Sequence, residues 1–107
     1  MEIDLMQLEF IDFDLRKICV EAEENIGIRF IITSLFRIGD NGVHGQLPLR
    51  GVDFRMRVVA VGKAIRDYIN SKWEYDPERP EKKVAYLHDA GSGWHLHIQS
   101  HPNTRRR

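Results

Sequence analysis

The chain has 107 residues, of which 42% are hydrophobic and 30% charged, and its 16 Lys and Arg balance 16 Asp and Glu. Such a composition suits one globular domain with its own core, and it argues against a disordered chain, a membrane span, or a broad phosphate-binding face that would need surplus cations. Met1-Glu2-Ile3-Asp4 is acidic and lacks the positive and long apolar regions of a secretory leader. The expectation is therefore cytoplasmic synthesis, no nucleic-acid or membrane partner, and a separate export or lysis route to any target beyond the membrane.

Apolar Phe10, Phe13, Ile18 and Ala22 recur at mostly helical intervals and predict a helix near 10–25, stopped by Asn25-Ile26-Gly27. Cys19, the single cysteine, falls in that apolar rhythm and reads as a buried small hydrophobe. Residues 28–33, dense in β-branched and aromatic side chains, predict a buried strand. Gly39, Asn41, Gly42, Gly45 and Pro48 then mark a long connection.

Val52-Asp53-Phe54-Arg55 alternates as a short strand does, placing Asp53 and Arg55 on one face. Val58, Val61, Ala64, Ile65, Tyr68 and Ile69 form a second helical stripe that ends near Trp73, before Tyr75-Asp76-Pro77. Residues 84–87 and 94–99, joined by a turn at 89–93, have the order of a β-hairpin, with His95, His97 and Gln99 on one face and Trp94 on the other, apolar side. The closing Arg105-Arg106-Arg107 reads as a frayed, solvated end. These elements make an α+β fold, a small antiparallel sheet with two main helices, as one domain over 1–107.

Five histidines occur, and four of them, His88, His95, His97 and His101, fall close together near the end. Imidazole and carboxylate are both good zinc ligands, and a catalytic zinc needs three protein ligands with one position left for water. His44, Asp53 and a histidine of the last strand would meet that need, although spacing alone leaves open a surface or hydrogen-bonding role.

The stretch Thr33-Ser34-Leu35-Phe36-Arg37, then Val43-His44-Gly45, then Arg50-Gly51-Val52-Asp53, and finally His95-Leu96-His97, resembles the ordered motifs of the D-Ala-D-Ala carboxypeptidase and L-alanyl-D-glutamate endopeptidase family, within the superfamily that includes the hedgehog signalling domain. The resemblance runs over roughly residues 28–99, and the size looks like the small endolysin-like members encoded by bacteriophages and prophages. It implies a hedgehog/DD-peptidase-like fold, a Zn2+ cofactor held by His44, Asp53 and His97, and Arg37 beside the developing oxyanion. The implied activity is that of a metallopeptidase on a peptidoglycan peptide of the cell wall.

Two departures stand out. Many relatives place an acidic residue three positions before the last ligand, where this chain has Trp94, so His95 is the first candidate for the general base and Asp89 the second. The interval from His44 to Asp53 holds eight residues, where the peptidases commonly have six. The resemblance also admits a catalytically silent zinc-binding module that binds wall fragments or a protein partner.

Overall fold

A computed structural model describes residues 11–27, 50–89, 91 and 93–107, and the backbone of 32–34. Helix α1 spans Phe13–Ile26 and helix α2 spans Val59–Lys72. The strands are β1 (Ile32–Ser34), β2 (Gly51–Arg55), β3 (Trp73–Glu74), β4 (Ala85–Asp89), β5 (Trp94–Gln99) and β6 (Arg105–Arg106). The architecture is α+β, as expected. The long connection after β1 lies outside the described residues.

Helix α1 begins where the Asp12 side chain accepts a hydrogen bond from the Leu15 amide at 3.1 Å, satisfying a donor that the first turn cannot. It ends at Gly27, whose φ of 78° lets its amide reach the Glu23 carbonyl at 2.8 Å. Ser100 donates to the same Asp12 carboxylate at 2.8 Å, so the cap also ties α1 to the end of β5.

The main sheet has the order β1-β2-β5-β4, with every neighbouring pair antiparallel. Along β2 and β5 the register pairs Val52 with Ile98, Asp53 with His97, Phe54 with Leu96 and Arg55 with His95. Alternation therefore sends Val52, Phe54, Leu96 and Ile98 to one face, where they are buried with Leu15, Ile18, Cys19 and Ala22 of α1 and Ile65 and Ile69 of α2. Both helices cover this one face, so the sheet is half of a two-layer sandwich. Each fully buried Val, Leu, Ile or Phe among these side chains stabilises the fold by about 1.5–3 kcal/mol relative to exposure. The pairing of β1 with β2 is irregular between Ile32 and Ser34, as at a bulge.

Two contacts set α2 on the hairpin. Asn70 donates to the Ala85 carbonyl and accepts from the Ala85 amide, both at 2.9 Å, which satisfies the first residue of edge strand β4. Gly62 brings the helix close: a Cβ there would stand 2.8 Å from a Leu87 methyl.

The C-terminal arginines are not frayed. Strand β6 pairs with β3, Arg105 bonds Glu74 at 3.1 Å, and Arg106 bonds Glu21 while stacking 4.7 Å above the Trp73 ring. The expectation of a loose end fails because the turn at 101–104 folds the tail back along α2, where opposite charge and an aromatic face await it. No helix among the described residues is long and apolar enough to cross a membrane.

Candidate metal centre

The sheet face turned away from the helices carries the polar residues. Asp53 sits in the middle of β2 and is only 8% exposed, which a carboxylate accepts only with a partner close by. Its cross-strand neighbour is His97, and the contact between Asp53 Oδ1 and His97 Nδ1 is 2.7 Å. Antiparallel pairing makes this meeting, since residues directly opposite on one face have neighbouring Cβ atoms. On the other side of His97 lies Tyr86 of β4, and two residues further along β5 lies Gln99, whose Oε1 is 3.1 Å from His97 Nε2.

A second row runs parallel to the first, two residues along each strand or about 6.7 Å. It consists of Arg55, His95 and His88, with the two imidazoles edge to face at 6.3 Å between centroids. His95 thus shares the face of His97. Asp89 pairs with Trp94 at the end of the hairpin, so alternation turns it to the opposite face, and its Oδ1 accepts from the Gly91 amide at 2.9 Å. Its visible task is to shape the turn. Of the two candidate bases, only His95 lies on the side of Asp53 and His97.

His44 and Arg37 lie outside the described residues. Among the described residues no three His, Cys, Asp or Glu side chains gather as a metal site would require. The pair that is described does fit zinc in kind, one carboxylate oxygen and one imidazole nitrogen. Two donors of a tetrahedral zinc at about 2.0–2.1 Å stand roughly 3.3 Å apart, so ligation asks the pair to open by about half an ångström.

Trp94 departs from expectation: it is 37% exposed and not packed in the core. Its partner across the hairpin, Asp89, is exposed as well, so the apolar face is uncovered at this end of the sheet. His101 also leaves the group suggested by sequence proximity. It lies past β5 with its ring 5.5 Å from Tyr75 and its Nδ1 3.8 Å from Asp76. Cys19 is buried, and burial, reinforced by Glu23, pushes its thiol far up, so it supplies no thiolate.

Alternation already places Gln99 beside the histidines; its contact with His97 needed the geometry. Compared with family models, curated proteins and solved structures, the chain matches none.

Proposed function

We propose that this protein is a zinc-dependent peptidase that hydrolyses an amide bond in peptidoglycan stem peptides. The observation that carries the reading is the 2.7 Å meeting of Asp53 and His97 in register on one sheet face, two of the three residues that the family resemblance marks as ligands. His44 is the third. A zinc bound there would lower the pKa of its water to about 7 and polarise the scissile carbonyl.

The chain's own residues divide the remaining work. His95, on the same face one row away, takes a proton from the attacking water and returns it to the leaving amine. Arg37 offsets negative charge on the carbonyl oxygen, a task for a fixed guanidinium in a partly dry site. Asp89 remains the alternative base in sequence terms, but its register on the opposite face favours His95.

A second reading, a zinc-binding module without turnover, is favoured by one observation: Trp94 stands where relatives carry an acid, and it is exposed at the hairpin end. The deciding experiment measures metal content of protein purified without added metal, native against His44→Ala, and assays release of peptidoglycan fragments on the same samples. The peptidase reading expects about one zinc per chain, lost in His44→Ala, with release that falls at least ~100-fold in His95→Ala. Zinc without release turns the reading to the silent module. No zinc even after addition sinks both.

A further inference from the structure

We propose that Gln99 is a positioning residue that keeps the Nε2 proton of His97 in place and makes Nδ1 the atom that meets a cation shared with Asp53. The inference rests on the metal reading for what that cation is, but the orientation of the ring follows from hydrogen-bond donors and acceptors alone.

The Gln99 amide is used at both ends. One end lies 2.9 Å from the Lys83 carbonyl, which only accepts, so that end is the NH2. The other end is therefore Oε1, and it faces His97 Nε2 at 3.1 Å. A carbonyl oxygen needs a proton from its partner, so His97 Nε2 carries one.

The Lys83 peptide that anchors the amide is itself held on both sides. Its N–H donates to the Tyr86 hydroxyl at 2.8 Å while its carbonyl takes the Gln99 amide. The backbone of Gln99 is fixed as well, with its N–H on the Val84 carbonyl at 2.8 Å. Turning the amide over would set two carbonyl oxygens against each other at Lys83.

With Nε2 protonated, a neutral His97 ring presents a lone pair at Nδ1. That lone pair points at Asp53 Oδ1 across 2.7 Å. Nδ1 is thereby the ring nitrogen turned to the Asp53 carboxylate, where a proton or a metal ion can be shared between the two. Gln99 thus selects which ring nitrogen meets the cation, in the way that outer hydrogen bonds fix the tautomer of ligating histidines.

The test uses full-length protein with 15N-labelled histidine, read by ring nitrogen shifts in metal-free and zinc-loaded samples, with zinc affinity measured by chelator competition. In the native chain His97 Nε2 is expected to carry its proton in both forms. Cadmium-113 put in place of zinc is expected to couple to Nδ1. Gln99→Leu is expected to weaken zinc 10–100-fold and to leave the metal-free ring without its preference for Nε2–H. Gln99→Glu, which keeps an acceptor oxygen toward His97 but sets an oxygen against the Lys83 carbonyl, is expected to restore less than the native affinity and ring preference. A bare Nε2 in the native protein, or a Gln99→Leu variant with unchanged ring state and affinity, overturns the assignment. A native chain that takes up no zinc defeats the peptidase reading, while the metal-free ring state still decides the role of Gln99.

Discussion

Asp53 and His97 meet across two paired strands, whereas Asp76 and His101 meet where the loop after β3 touches the turn after β5, and the two pairs are built differently. At the first, the carboxylate and Nδ1 are 2.7 Å apart and the far nitrogen is committed to Gln99. At the second, His101 Nδ1 already accepts from the Asn103 amide at 3.1 Å, and it stands 3.8 Å from the Asp76 carboxylate, beyond hydrogen-bond reach. Asp76 draws its donors from elsewhere: the Glu78 amide at 3.0 Å, Arg79 Nε at 3.0 Å and the Asn103 amide group at 3.4 Å. One pair brings carboxylate and ring into direct contact. The other holds two acceptors apart and surrounds each with protein donors. Residue type alone does not separate the two pairs; the distances and the donors around them do.

The sharpest way to break this comparison is to remove each carboxylate. Asp53→Ala is expected to weaken zinc binding by more than ~100-fold, beyond what loss of an outer-shell partner costs. Asp76→Ala is expected to leave zinc stoichiometry unchanged and to lower Tm by several degrees, because three donors lose their acceptor. Metal analysis and thermal unfolding on the same three proteins check both. A folded Asp76→Ala chain that has lost its zinc would erase the distinction.

A smaller effect separates the pairs in acid. The Glu78 amide first, then Arg79 and Asn103, hold the Asp76 carboxyl below its ordinary value of 3.8, against the opposing effect of burial. The folded state therefore binds fewer protons there than the unfolded chain, and stability rises with pH through that range. The contribution is present in full above the ordinary value and is lost as pH falls through the lower folded one. Urea unfolding between about pH 2 and 5 should show a shallower acid decline in Asp76→Asn than in the native protein. Parallel declines would mean that the Asp76 donors do not stabilise its charge in the folded state.

What was legible in the sequence follows from period. A strict alternation across 52–55 and 94–99 places Asp53, His95, His97 and Gln99 on one face, and the observed register puts them there. Helical stripes likewise locate α1 and α2 to within a few residues. Alternation names a face but not its cover, which is why Trp94 was expected inside: it lies on the apolar side, yet at a hairpin end where its partner Asp89 is exposed. Proximity along the chain misleads for His101, because the turn after β5 leaves the sheet and carries it to Tyr75. The anchoring of Arg105 and Arg106 depends on Glu74 and Glu21, 31 and 85 residues away, a separation that no local pattern encodes. Hydrogen-bond direction at Gln99 is equally hidden, since it depends on the Lys83 carbonyl 16 residues earlier.

The smallest expected effect is also the one that discriminates how weight is shared within each pair. If Asp53 and His97 are ligands of one zinc they act together, so His97→Ala should weaken zinc binding as much as Asp53→Ala does. In the other pair the contributions are graded. His101 offers an acceptor to the Asn103 amide and an edge contact to Tyr75, each of ordinary strength, and at 3.8 Å it adds no hydrogen bond to Asp76. His101→Ala should therefore cost about 1 kcal/mol in urea unfolding, leave zinc content intact, and lower Tm less than Asp76→Ala does. Equal losses from His101→Ala and Asp76→Ala would show that Asp76 and His101 act as a unit after all. Their 3.8 Å gap would then have to close in solution around a shared proton, to a contact as short as the 2.7 Å one between Asp53 and His97.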